Sequence, residues 1–269
     1  MSSSLYQNLY QCLMITDPLH KVEMTYACYE NFKAGKLGID EDVDVETIEI
    51  PGRPEKPRLV NPRTVPKRSM ASEEGRVILA HAIAHIEFNA INLALDAAYR
   101  FRRMPIDFYA DWLQVAKEEA YHFTLVNTYL HDHGACYGDF DAHNGLWEMA
   151  LKTDKSVLER MALVPRVLEA RGLDVTPGMI DKLEKAGDIE LAECLKIIHQ
   201  EEIGHVAIGT RWFRHSCEEE GVDARSTFIN LLKKHMKNAI RGPYDEWSRI
   251  QAGFTDEEMS DLKSLEVSR

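Results

Sequence analysis

The sequence is short of the features that mark secreted, membrane-spanning and thiolate-metal proteins. Only five cysteines (Cys12, Cys28, Cys136, Cys194 and Cys217) are spread over 269 residues. Their number is odd and no two form a C-x-x-C pair. That excludes a disulfide framework and a zinc–thiolate site, and reads as reduced thiols in a cytosolic, cytoplasmic protein. The N-terminal "MSSSLYQNLYQCLMITDP" has no basic segment followed by an apolar run, so no signal peptide is expected. No stretch approaches the roughly 20 apolar residues of a bilayer span, so no membrane partner is expected. Positive charge is in deficit, 32 Lys and Arg against 44 Asp and Glu for a net −12. Broad binding to nucleic acid or anionic membranes is disfavoured, although a local basic patch is not. No apolar–polar alternation persists, which argues against sheet. No glycine-rich nucleotide loop or reductase segment is visible.

What the sequence does have is helix. Hydrophobic residues make up 45% of it, enough for a sizeable core. Residues 5–34 read as helical with a break near Thr16-Asp17-Pro18, where Asp17 before Pro18 suits a helix start. Residues 35–72 change character. "IPGRPEKPRLVNPRTVPKRS" contains five prolines, each of which fixes φ and removes a backbone donor, so an extended arm is expected. Such a length of irregular chain either wraps the domain or serves the function.

Four longer helices come next. The first starts at the N-cap candidate Ser72, carries acids in its first turn and stops near Met104-Pro105. The second spans 106–131, with Gly134 as its stop. The third spans 148–171, kinked at Pro165 and ended by Gly172, and leads into a loop with a short helix. The fourth spans 188–219. One more helix at 223–240 precedes an irregular tail. The chain is therefore expected to be all-α. Residues 72–219 would form an antiparallel four-helix bundle, with 1–71 packed on it and 220–269 as a C-terminal helix and tail.

Two segments, "EEAYHF" at 118–123 and "EEIGHV" at 201–206, repeat one pattern. Residues three apart on a helix lie about 60° apart and one turn on, so Glu119 faces with His122 and Glu202 with His205. Trp112, Val115, Ala116, Phe123 and Val126 share the side of the first pair; Leu195, Ile198, Val206 and Gly209 flank the second. Both pairs point inward. Ala80, Ile83, Ile91 and Ala94 turn Glu87 inward as well. A buried carboxylate costs several kcal/mol unless it is paired. Glu87 precedes Glu119 by 32 residues, about right for acids lying level on two antiparallel helices. A matching acid from the third helix has two candidates. The interval to Glu202 favours Glu169, while distance from the helix end favours Glu159. Spacing leaves that choice open.

One Glu from each of two helices plus E-x-x-H from the other two is a dinuclear carboxylate ligand set. Four carboxylates balance two divalent cations, and the imidazole and carboxylate donors suit iron or manganese. The competing reading is a salt-bridged core, in which Arg76, Arg100, Arg160, Arg166 or Arg211 neutralises the acids. His81 and His85 read as packing groups or as support for neighbouring ligands, and His199 as support for a neighbouring ligand. Tyr121 reads as amphipathic. Arg53, Lys56, Arg58, Arg63, Lys67 and Arg68 face one acid, Glu55, within 51–68. This strip is either an anionic docking surface, RNA included, or a basic arm clamped on an acidic bundle.

"HAIAHIEFNAINLALDAAYRF", "DWLQVAKEEAYHF", "YGDFDAHNGLWEMA", "RMALVPRVLEARGLDVTPGM", "EEIGHVAIGTRWF" and the arm motif "PGRPEKPRLVNPR" resemble the ferritin-like "domain of unknown function 455" family, across residues 50–255. That family is similar, more distantly, to MiaE-type tRNA hydroxylases, which are non-haem di-iron monooxygenases. Their third-helix ligand lies in a Glu-Ala-Arg segment matching Glu169-Ala170-Arg171, so the resemblance implies Glu169. The implied metal ligands are Glu87, Glu119, His122, Glu169, Glu202 and His205. The implied cofactor is two iron ions, with manganese as the alternative. The implied activity is an oxidoreductase that uses O₂ or peroxide to hydroxylate or oxidise a substrate, with electrons from an external donor. A ferroxidase or peroxide scavenger is a variant. A non-enzymatic interaction module with a structural metal or salt-bridged core is the alternative class. Oligomeric state is left open.

Overall fold

The computed structural model describes residues 3–39, 44–236 and 240–266. They are overwhelmingly helical, as expected, and the chain divides into two compact units, Met1–Leu151 and Lys152–Arg269.

The first unit opens with a two-residue strand, β1 (Ser3–Ser4), paired in parallel with β2 (Leu37–Gly38). Between them lie helices α1 (Leu5–Met14) and α2 (Pro18–Lys33). The break falls where the sequence places it. Asp17 Oδ1 accepts from His20 N–H at 2.8 Å and Pro18 occupies the first helical position, where its missing donor is not needed. Lys21 of α2 is fully buried, and its ammonium has three acceptors for three donors. Nζ donates to the carbonyls of Cys12 (3.0 Å) and Leu13 (2.8 Å) at the end of α1, and to Asn92 Oδ1 (2.7 Å).

Two long helices form the centre of this unit. α3 (Glu73–Arg100) starts at Ser72, whose Oγ accepts from Gly75 N–H at 3.2 Å. α4 (Ile106–Asp132) ends before Gly134, which takes φ +72°. Phe101 contacts Phe108 near the connection, and Phe88 contacts Phe123 (ring centroids 5.6 Å) further along. Numbers fall on one helix as they rise on the other, so the pair is antiparallel. Contrary to the expectation that no stretch approaches a bilayer span, α3, and among the described residues only α3, is long and apolar enough to cross one; 83% of its apolar window is buried by the chain itself. It is a core helix, with α1 against it and α2 against α4.

The proline-rich arm is fastened to this unit through its backbone. Gly52 N–H donates to Leu13 O (2.8 Å), Val60 N–H to Ala142 O (2.8 Å) and Ala142 N–H to Arg58 O (3.0 Å). A Cβ at Gly52 would collide with the backbone of Met14 and Ile15, so only glycine lets the arm approach this closely. Trp147 of α5 (Gly145–Lys152) donates from Nε1 to Glu49 O at 2.9 Å. His81 and His85 bind the loop that follows α4. Gly138 N–H donates to His81 Nε2 (2.9 Å); His85 Nδ1 meets Tyr137 OH (2.9 Å) and its Nε2 meets His143 O (3.1 Å).

The second unit departs from expectation in two places. The single helix expected at 148–171 is broken. Ser156 caps a new helix, α6 (Val157–Leu163), accepting from Glu159 N–H at 3.1 Å. Pro165 has no N–H for the regular ladder, and residues Val164–Glu169 widen into a π-helical turn rather than a simple kink. Gly172 does not stop the helix, because it keeps right-handed backbone geometry; α7 (Ala170–Lys185) runs on through Pro177. The stop comes at Gly187, φ +79°. α8 (Ile189–Glu220) runs from the Asp188 cap to Gly221, φ +65°. α9 (Ala224–His235) is shorter than the 223–240 expected, and 237–239 lie outside the described residues. The tail is not irregular: it forms α10 (Glu246–Gln251) and α11 (Asp256–Leu265), the latter opened by a Thr255–Glu258 capping box.

Pro165 seats against Gly209 of α8, where a Cβ would overlap the proline ring. Gly209→Val should therefore lower the stability of the chain by about 2–3 kcal/mol through overpacking, read as a fall in urea midpoint; an unchanged midpoint would refute the contact. A second expectation concerns acid and His81. Burial pulls this imidazole down to about 4, and its Nε2 already accepts a hydrogen bond, so folding requires the neutral ring. The unfolded chain binds this proton near pH 6.5, so its contribution is present above that value and lost as pH falls towards 4, by roughly 3 kcal/mol at most. His81→Gln keeps an acceptor and should flatten the stability profile between those pH values in thermal melts.

Candidate metal centre

Glu87, Glu119 and His122 meet inside the first unit. The three side chains are 4%, 0% and 0% exposed. The antiparallel register explains why, since the Phe88–Phe123 contact lies one residue from both Glu87 and His122. His122 Nδ1 lies 3.3 Å from Glu119 Oε2 and 3.4 Å from Glu87 Oε2. One donor atom from each residue falls within 4.8 Å of the other two.

This is an awkward place for two carboxylates. Burial, then the charge of Glu119, push the Glu87 carboxyl well above its usual range, and His122 pulls the other way. Glu87 Oε2 is buried without a well-formed hydrogen bond. Among the described residues no lysine or arginine nitrogen comes within ion-pair distance of Glu87; the basic group beside it is the His122 ring. Two arginines of the competing reading form pairs elsewhere. Arg166 pairs with Glu258 (2.7 Å), and Arg100 with Asp96 (2.6 Å). Three convergent donors of this chemistry in a dry site can hold a metal ion.

The second unit repeats half of the arrangement. His205 is fully buried, with Nδ1 3.5 Å from Glu202 Oε1. The same nitrogen thus faces the same i−3 carboxylate on both α4 and α8. Glu169 is half-buried at the end of the π-helical turn. It lies four residues after Pro165, and His205 lies four residues before Gly209, the partner of Pro165. Glu159 instead turns to α9, accepting from Lys234 Nζ at 2.9 Å.

The remaining candidates have other partners. His199 faces α10, 3.5 Å from Ser248 Oγ and 3.7 Å from Asp245 Oδ2. Tyr121 is 38% exposed on the outer side of α4, and Glu118 accepts from Gln114. In the arm, Arg58 forms an exposed pair with Asp141 (2.6 Å). Two residues near the cluster escaped the sequence reading. Tyr137 is half-buried, its ring packed against Phe88 and Phe123, and loss of solvent around the phenol pushes its pKa up. Asn92 receives Lys21. A loop tyrosine and a mid-helix asparagine carry no spacing signal that would have revealed either.

Comparison with known proteins agrees with the sequence resemblance at the level of family. The model described as "Protein of unknown function (DUF455)" matches residues 14–260. An uncharacterized protein of Haemophilus influenzae is 43% identical over 274 residues, covering 98% of this chain and 95% of that protein. No solved structure matches. With a match spanning nearly its whole length, the chain belongs to the DUF455 family.

Proposed function

We propose that the chain is a dinuclear metal oxidoreductase built on a ferritin-like four-helix arrangement of α3, α4, the α6–α7 segment and α8. Glu87, Glu119 and His122 form one half of the centre, and Glu169, Glu202 and His205 the other. The observation that carries the reading is the convergence of a buried imidazole and two buried carboxylates at His122, echoed by the His205–Glu202 geometry. The register within the second unit supports Glu169 over Glu159 as the sixth ligand, since it lies level with His205 while Glu159 binds a surface lysine.

The residues would divide the work simply. Glu119 and Glu202 would each contribute a carboxylate to the metal pair, His122 and His205 would each hold an ion through an imidazole nitrogen, and Glu87 and Glu169 would complete the set. Iron fits this hard, thiolate-free set, and manganese fits it as well. When bound, a redox-active pair of this kind supplies electrons for the reduction of O₂ or peroxide. The chain itself holds the ligands on helical segments and excludes water with the Phe88, Phe123 and Tyr137 rings. An electron donor must come from outside, because no nucleotide-binding loop is visible in the sequence.

Protein produced with iron is expected to carry about two metal ions per chain. Glu119→Ala should lose most of them, while Glu118→Ala, one residue away, should keep them. Metal analysis with a circular dichroism check reads both. A folded chain that takes up no metal even on anaerobic Fe²⁺ addition would sink the reading. Metal-dependent stability without oxygen or peroxide consumption under any reductant would instead favour a structural metal.

A further inference from the structure

The second unit contains a cavity that the metal reading does not use. It has a volume of about 200 Å³, more than ten times what one buried water needs. One wall is the outer side of the π-helical turn and α7, and the other is α9, the 240–244 segment and α11. On a helix, Val167, Arg171 and Asp174 share a face, and Glu169 lies on the opposite one. The cavity and the proposed ligand are thus on opposite sides of the same helix.

Its lining combines cationic and apolar walls. Arg166, Arg171, Arg241 and Arg249 all border it. The carboxylates that answer them are fewer. Asp174 takes Arg249 in a two-pronged pair (2.8 and 2.7 Å), and Glu258 takes one nitrogen of Arg166 (2.7 Å). Arg171 spends its donors on the carbonyls of Arg241 (3.0 Å), Gly242 (3.4 Å) and Pro243 (2.9 Å), which ties down the 241–243 turn, and it lies 3.6 Å from Asp174. Arg241 is exposed at the rim and meets no carboxylate among the described residues. Glu266 approaches this turn by accepting from Gly242 N–H at 3.0 Å, and positive charge still exceeds negative.

Three polar atoms remain unanswered. Arg166 is 1% exposed, and its Nε and Nη1 have no hydrogen-bond partner while its flat face rests 4.1–4.8 Å from the centres of the Phe213, Phe228 and Phe254 rings. The Tyr244 hydroxyl is also buried without a partner. Buried donors left unmade are costly, and a cationic donor more so. The rest of the lining, with Leu232, Met236 and Leu262 prominent, offers nothing to a small hydrated ion.

We propose that this cavity is a second ligand site, for a small organic oxyanion with an apolar body: a carboxylate or phosphate head towards the arginines and Tyr244, and a short hydrocarbon body against the α9 and α11 side chains. Planar guanidinium groups recognise such heads well. The site does not depend on the metal reading.

The test uses the full chain and isothermal titration with octanoate, octyl phosphate, octanol and inorganic phosphate. Saturable binding of octanoate or octyl phosphate is expected, at least about ten-fold tighter than octanol or phosphate alone. The preferred amphiphile identifies the head group. Arg241→Gln, at the exposed rim, should weaken that binding about ten-fold. Met236→Trp should abolish it by filling the cavity while the circular dichroism spectrum stays unchanged. If Met236→Trp does not fold, the Arg241→Gln comparison decides. No saturable binding, equal binding of octanol, or an unaltered affinity in Arg241→Gln would each overturn the proposal.

Discussion

The burial of Glu87 and Glu119 is the constraint on which the first unit turns. A carboxylate taken out of water costs several kcal/mol unless something nearby restores its solvation. Here two are taken out within reach of a single imidazole, and the surrounding rings keep solvent away. Such a core is tolerable only if the helices carrying the acids cannot drift apart. α3 and α4 are accordingly long, capped at the start of α3 by Ser72 and released after α4 by Gly134, with aromatic contacts at both levels of the pair. α1 and α2 brace them from outside, and Lys21 joins the end of α1 to the middle of α3.

The π-helical turn plays the corresponding part in the second unit. An ordinary α-helix through Pro165 would lack one rung of its ladder and push the ring against the preceding turn. Widening the turn absorbs the missing donor and rotates the residues beyond the proline, Glu169 included. The proline ring then needs a recess, and Gly209 provides it one turn beyond His205. The irregularity and the histidine are therefore linked through a single van der Waals contact.

Much of this was legible in the sequence, for identifiable reasons. Caps at Asp17, Ser72 and Gly134 act through local hydrogen bonds and backbone geometry, and local rules found them. The inward direction of Glu119, His122 and His205 followed from helical periodicity, because each has apolar neighbours one turn away. The third long helix was misread because the Ser156 cap, which starts a new helix after α5, was overlooked, and because Gly172, expected as a stop, stays helical; the irregularity expected at Pro165 is present, as a π-helical turn rather than a simple kink. The tail was misread because short helices such as α10 and α11 owe their stability to what they pack on. The Lys21–Asn92 bond joins residues far apart in the chain, and no single-sequence pattern announces it.

The way the proline-rich arm is attached has a consequence for its charges. Its fastenings at Gly52, Arg58 and Val60 run from main chain to main chain, and the indole of Trp147 binds a main-chain carbonyl as well. Main-chain atoms are the same whichever side chain is present. The path of the arm is therefore largely insulated from the identity of its exposed basic residues. Lysines and arginines along it can be exchanged, added or removed over evolutionary time, altering what the surface attracts, while the route of the chain beneath them stays the same.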